Sequence, residues 1–457
     1  MEAGFAAASE GEMEAIKLIA NAGLKAEVYS MARGVTKDID AVLKTGAVGV
    51  HLVIPSSDLH LQYKLKKSRE QVLKIVEDTT QYAKDHGLIV EFSAEDATRS
   101  DLDFLTQIFR TGVAAGADRL CPCDTVGVLI PEKTSELYVE LKKRFSNVPL
   151  SVHCHDDFGL AVANSIIALK HGAVQAHVTM NGLGERAGNA SLEEIAVVLK
   201  ARYHVNMGIK TELLYETSRL VSRITDFPLQ PNKAIVGENA FVHESGMHTH
   251  GILANPSTYE PFDPAMIGRT RRIAAGKHSG STGIKASLNE MGFEPNKAQL
   301  QEIFLRVKSI GDKGKRVADA DLQAIAEVIM NLPASRPIKL EEITVVTGSR
   351  ITSTASVRLN LKGKMLTESA TGVGPVDAAI TAIKKAVGIV EPILLENYSV
   401  KAITGGTNAV TEVAVSLSKG DRKSTAVGIN EDIVIASVEA MLSGMNVLMT
   451  SHNNKKS

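Results

Sequence analysis

Across roughly the first 200 residues, short apolar runs alternate with amphipathic helical stretches, and this alternation restricts the fold more than any other feature. The runs are 26–30, 49–54, 88–92, 118–123, 150–155 and 173–180. Helical spacing fills the gaps, clearest over 69–86, 102–114 and 131–145. A strand–helix–strand repeat predicts a parallel sheet with right-handed crossovers. The repeat count predicts an α/β fold of the (β/α)8 TIM-barrel kind. Six runs are clear, and a stub, Glu2–Gly4, reads as the tip of a seventh strand. The first strand of the barrel is the one expected to be lacking.

A barrel of this kind does its chemistry at the C-terminal tips of its strands. The polar tips are Glu2 on the stub, Arg33, Ser93 with Glu95, Asp124 with Thr125, His153 with His155, and Thr179 with Asn181. Alternate residues of a strand share a face, so His153 and His155 point the same way and Cys154 the other. Two neighbouring imidazoles can grip one divalent cation. Asp156, Asp157 and Asn189 offer oxygens nearby, and such a mixed set suits Mg²⁺, Mn²⁺ or Zn²⁺.

Composition excludes other classes. Lys plus Arg (51) nearly balances Asp plus Glu (52) in 457 residues, so no basic field argues for nucleic acid or an acidic membrane surface. No apolar run approaches the roughly 18 residues that a membrane helix needs. The start has no signal-peptide pattern, and Cys121, Cys123 and Cys154 fall in predicted strands, which fits a reducing cytoplasm.

Beyond the barrel, 231–280 is rich in Gly, His and Asn with weak periodicity, and 283–290, 297–309 and 319–330 read as helices. A Pro-containing linker, Leu332-Pro-Ala-Ser-Arg-Pro, follows. The last segment carries a duplication. Ala355, Val357, Leu359 and Leu361 alternate with polar residues, as do Val413, Val415 and Leu417. Helical apolar sets follow each: Val376, Ile380, Ile383, Val387 and Val434, Val438, Met441, Met445. Each copy reads as strand, strand, helix.

Four motifs carry a resemblance: Ser-Ala-Glu-Asp-Ala-Thr-Arg, Asp-Thr-Val-Gly, His-Cys-His-Asp-Asp-Phe-Gly and Asn-Gly-Leu-Gly-Glu-Arg-Ala-Gly-Asn. Over essentially its whole length the chain resembles the acyl-CoA-dependent 2-oxoacid condensing enzymes, the 2-isopropylmalate, citramalate and homocitrate synthases. The resemblance implies a metal-dependent acyltransferase that uses acetyl-CoA and converts the acyl group to alkyl on transfer. It implies metal ligands at His153, His155 and Asn189, with a fourth, an Asp, on strand one. The family opens with Asp-Thr-Thr-Leu-Arg-Asp-Gly-Glu, whereas this sequence starts within the next strand, so an N-terminally truncated and inactive chain is expected. Glu95 and His248 match acid/base residues, with Tyr259 supporting them. Glu2 matches the residue that orients the absent Arg. Thr179, Arg33 and Thr125 are candidates for substrate binding.

The resemblance also sets the expected domains. Residues 1–230 form the catalytic barrel and 231–280 a subdomain covering an active site, generally the partner subunit's. Helical linker subdomains span 281–335, an α+β regulatory domain with internal duplication spans 339–450, and 451–457 is a polar tail. That regulatory domain implies an amino-acid effector, leucine, and a homodimer. Glu-Ala-Gly-Phe-Ala-Ala-Ala-Ser-Glu-Gly-Glu and Ser-Met-Ala-Arg look most like archaeal-type 2-isopropylmalate synthases, acting on 2-oxoisovalerate. The alternatives are citramalate synthase, acting on pyruvate, and homocitrate synthase. A further one is a non-catalytic paralogue that keeps only effector binding.

Overall fold

The computed structural model describes residues 1–273, 279–312, 317–330, 337–388, 393–403, 409–420 and 422–449. The linker at 332–336, part of the stretch 231–280 and the tail 451–457 lie outside the described residues. The chain divides into two compact units, Met1–Ala240 with Ala265–Arg269, and Phe241–Pro264 with Thr270 onward.

The first unit is a TIM-barrel-type domain. Its strands are β1 (Tyr29–Arg33), β2 (Gly49–Pro55), β3 (Ile89–Glu95), β4 (Arg119–Asp124), β5 (Leu150–Cys154) and β6 (Ala173–His177). They lie in sequence order, all parallel. Glu2 bridges to Tyr29 and extends the sheet beyond β1. Among the described residues no strand lies beyond β6. Expected and observed strands differ by a few residues, most at β1. There the register is set by Tyr29 opposite Gly49, whose missing Cβ leaves room for the Tyr29 ring.

Local sequence explains the crossover helices. Ser68 and Gln71 form a reciprocal capping box on Arg69–Asp85. The Asp101 carboxylate accepts from the Phe104 N–H at 2.9 Å to start Leu102–Ala114. Pro131 opens the helix Pro131–Arg144, and three cations sit in its last turn.

Each strand alternates between two environments. Val50, Leu52 and Ile54, then Val90, Phe92 and Ala94, are buried in the apolar layer shared with the helices. Between them His51, Glu91, Ser93 and Glu95 occupy the opposite face. That face closes on itself: His177 Nε2 on β6 lies 2.8 Å from Glu91 Oε1 on β3. In a flat sheet, strands three positions apart are separated by about 14 Å. The contact therefore requires a sheet rolled towards a barrel.

The second unit contains a short parallel pair, β7 (Val242–His243) with β8 (Arg272–Ile273). Three helices, Ser281–Glu290, Lys297–Asp312 and Asp319–Ile329, pack around Ile284, Leu288, Phe293, Ile303 and Leu322. The duplication then appears as two three-stranded antiparallel sheets. The first holds β9 (Ile338–Gly348), β10 (Ile351–Leu361) and β11 (Lys364–Gly372), followed by the helix Pro375–Val387. The second holds β12 (Leu394–Ala402), β13 (Thr411–Lys419) and β14 (Arg422–Asn430), followed by the helix Ile433–Met449. Each copy has one strand more than expected, and in both the middle strand of the sheet is the second in sequence. Ile380, Ile383, Val387, Val438, Met441 and Met445 are buried in one shared core. The copies are stitched by Asn446, whose carboxamide accepts from Ile338 N–H at 2.8 Å and donates to Ile338 O at 2.9 Å.

Candidate active site

A cavity of about 1080 Å³ runs along the inner face of the sheet in the first unit, from Tyr29 and Arg119 at strand starts to Glu95 and Thr125 at the C-terminal ends. Seven sequence candidates line it together: Glu2, Glu95, Thr125, His153, His155, Thr179 and Asn189. Arg33 is not among them. Its guanidinium is held by Asp38 at 2.7 and 3.1 Å and lies over the Phe5 ring. His248 and Tyr259 belong to the second unit, where their rings stack at 4.1 Å.

His153 and His155 share a face, with ring centroids 5.0 Å apart. His155 bridges to Asn189, which returns at the end of the loop after β6. That loop needs its glycines. A Cβ on Gly184 would lie 2.5 Å from Asn189 Nδ2, and Gly188 adopts φ +98°. Two buried atoms here, His155 Nδ1 and Asn189 Oδ1, have no hydrogen-bond partner among the described residues. Buried polar atoms are almost always paired, so two orphans facing one cavity call for a missing partner. Burial pushes His153 well below the ordinary imidazole range, reinforced by His177 and His155, which favours the neutral ring that a metal requires. Two imidazoles and an amide oxygen fit a divalent cation of the Mg²⁺, Mn²⁺ or Zn²⁺ kind. Asp156 and Asp157 are otherwise engaged: Asp156 accepts from Ala161 N–H and Asp157 holds Arg186 through two 2.8 Å bonds.

A second donor group, Glu91, Cys121 and His177, has ligand atoms within 4.8 Å of one another. Its carboxylate is already taken, by His177 at 2.8 Å, Gln175 at 3.0 Å and Arg119 at 3.4 Å. Burial also pushes the Cys121 thiol up, away from the thiolate that binds metal. This group fits a cation less well than the first.

The polar motifs divide into functional tips and braces. Glu95 faces the cavity and accepts from Lys64 Nζ at 2.5 Å, on a π-helical turn spanning Leu61–Leu65. Its neighbour Asp96, fully buried at φ +59°, is clamped by Arg99 at 2.8 and 2.9 Å and by Ser57 at 2.5 Å. Thr125 Oγ1 accepts from Asp96 N–H at 2.8 Å. Asp124 accepts from Thr98 and from the N–H groups of Val128 and Leu129 at 3.0–3.1 Å, making it a turn brace.

Sequence reasoning missed His51. It bonds Glu2 through Nδ1 and Ser93 Oγ through Nε2 at 2.5 Å. Burial alone would lower its pKa, but Glu2, hydrogen-bonded and charged, overrides this and raises it to about 9. A polar residue on an inward strand position was the available signal: His51 lies between Val50 and Leu52, as Glu91 lies between Val90 and Phe92.

Residues 1–221 match the HMGL-like family, 235–315 the homocitrate synthase post-HMGL domain-like family, and 316–449 the LeuA allosteric (dimerisation) domain. A putative (R)-citramalate synthase of Methanosarcina mazei is 53% identical over 450 residues, covering 98% of this chain and 93% of that relative. The chain belongs to the HMGL-like family. Two Methanocaldococcus jannaschii proteins are similar to this HMGL-like chain at 51% identity, each over 98% of it. They are an (R)-citramalate synthase, covered over 92% of its length, and a 2-isopropylmalate synthase, covered over 87%. No helix among the described residues is long and apolar enough to cross a membrane.

Proposed function

We propose that the protein condenses acetyl-CoA with pyruvate, the reaction of an (R)-citramalate synthase. One observation carries the condensing-enzyme reading: His153, His155 and the unpartnered Asn189 Oδ1 converge on the cavity that Glu95 and Thr179 also line. The relatives' names supply the choice of pyruvate. The Methanosarcina relative is named a putative (R)-citramalate synthase and one of the Methanocaldococcus proteins an (R)-citramalate synthase, which favours pyruvate over the 2-oxoisovalerate that the N-terminal motifs suggested. The second Methanocaldococcus relative, at equal identity, keeps 2-isopropylmalate synthase as the other reading.

A divalent cation at His153, His155 and Asn189 would supply Lewis-acid polarisation of the keto group. The chain's residues do the rest. A base takes one proton from the acetyl methyl, the enolate carbon bonds to the keto carbon, and the resulting alkoxide is protonated. Water then cleaves the thioester and releases the CoA thiol. Glu95 is assigned to this proton traffic together with His248, and Tyr259 supports His248. Thr179 lines the cavity and is the proposed contact for the 2-oxoacid carboxylate, which its hydroxyl reaches by turning from Leu183 O. His51, by contrast, already spends both ring nitrogens on Glu2 and Ser93. The duplicated domain is proposed to bind a branched-chain amino acid as effector and to pair two chains.

Pocket discrimination between pyruvate and 2-oxoisovalerate rests on a difference of two methyl groups, about 1–3 kcal/mol each. The test is thiol release from acetyl-CoA with each 2-oxoacid. The higher kcat/KM is expected for pyruvate. A higher value with 2-oxoisovalerate would make it a 2-isopropylmalate synthase.

A further inference from the structure

The loop from Met180 to Ala190 delivers Asn189 to the histidine pair, and its first turn is fastened from outside the cavity. Asn181 adopts φ +63°, a left-handed conformation uncommon for any residue with a side chain. Its carboxamide is gripped by Ser218, which donates through Oγ to Oδ1 at 2.5 Å and accepts from Nδ2 at its carbonyl at 2.9 Å. Its backbone N–H donates to Glu193 Oε2 at 3.0 Å. Glu193 stands in the first turn of the helix Leu192–Arg202 with its side chain fully buried. Its other oxygen makes no hydrogen bond, although the Lys233 ammonium lies 3.5 Å away and donates to Glu194 at 2.8 Å.

Burying a carboxylate is costly unless its charge is compensated and it is hydrogen-bonded. Here the use is mechanical. From Asn181 the chain runs to Gly182, whose carbonyl accepts from the Asn189 N–H at 3.0 Å. Asn189 Nδ2 donates to Leu183 O at 3.3 Å, and Thr179 Oγ1 donates to the same carbonyl at 2.6 Å. The position of Asn189 Oδ1 is thus referred, in two steps, to the Asn181 anchor.

We propose that Glu193, compensated by Lys233, is a positioning residue that locks Asn181 and thereby holds Asn189 Oδ1 at the His153–His155 pair. The inference rests on the metal reading above and adds the residue that sets its geometry. Groups behind metal ligands are worth about 10–100-fold in affinity when removed.

The experiment measures Mn²⁺ dissociation constants by electron paramagnetic resonance on the whole chain, and amide hydrogen exchange over 180–189 without metal. Glu193→Ala should weaken Mn²⁺ binding by about 10–100-fold and speed exchange in the loop. Glu193→Gln should recover most of both, because a carboxamide oxygen still accepts the Asn181 N–H. If Glu193→Ala does not fold, Ser218→Ala takes its place, with the same direction expected. A folded Glu193→Ala or Ser218→Ala with unchanged Mn²⁺ affinity and loop exchange overturns the proposal, even if its melting temperature falls. No Mn²⁺ binding by the unsubstituted chain would instead overturn the metal reading, and the exchange data would still decide the anchoring.

Discussion

Replacing Glu2 by Gln tests the polar interior of the barrel. His51 is buried, so removing its carboxylate partner leaves burial as the dominant influence, and burial disfavours the imidazolium. In the unsubstituted chain the His51 pKa stands at about 9, against an ordinary 6.5. The folded value is the higher one. The pair therefore stabilises the fold fully below pH 6.5, and that contribution disappears as pH rises through 9. At 1.36 kcal/mol per unit the difference amounts to about 3 kcal/mol, counted once because Glu2 and His51 share one interaction. The assay is a proton NMR titration of the His51 ring, assigned with His51→Gln, in metal-free protein. Unfolding free energy is followed in parallel from pH 6.5 to 9.5. His51 should titrate near 9, and in Glu2→Gln below 6.5. Stability should fall with pH in the unsubstituted chain and much less in Glu2→Gln. A His51 pKa at or below 6.5 with Glu2 present would refute the reasoning.

Other predictions follow from the same geometry. Arg33→Ala should change KM for the 2-oxoacid less than twofold, because its guanidinium is committed to Asp38 outside the cavity. Its stability cost, read by chemical denaturation, should exceed the roughly 0.2–1 kcal/mol of an exposed ion pair, because the Asp38 carboxylate is buried and keeps only the residue-33 N–H. Isoleucine should inhibit thiol release more than leucine does, and deletion from Leu340 onward should abolish inhibition. Stronger inhibition by leucine would support the 2-isopropylmalate reading, and no response to either would leave the domain a dimerisation platform.

The parts legible in sequence were those written in local periodicity. Alternating apolar runs and helices placed β2 to β6 within a few residues, and His153-Cys154-His155 declared a shared face by spacing alone. The inner network was not legible. Glu91 and His177 lie three strands apart, and only rolling of the sheet brings them to 2.8 Å and sets the His51 and His177 rings 5.1 Å apart. The extra strand in each C-terminal copy was hidden for another reason. The middle strands β10 and β13 bury alternate residues, whereas the outer β9, β11 and β12 are mostly exposed or half-buried and carry little apolar alternation. Arg33 looked like a functional tip because Asp38, five residues on, is a partner that only the folded turn reveals.

The central claim is that His153, His155 and Asn189 hold one divalent cation. Pulsed electron paramagnetic resonance of Mn²⁺ bound to the chain tests it most directly, through the nitrogen couplings of coordinated imidazoles. Two imidazole couplings are expected in the unsubstituted chain and one in His153→Ala or His155→Ala, with weakened binding in both. Two couplings surviving in either variant would contradict the assignment, and a single coupling lost only in His177→Ala would move the cation to the Glu91–Cys121–His177 group.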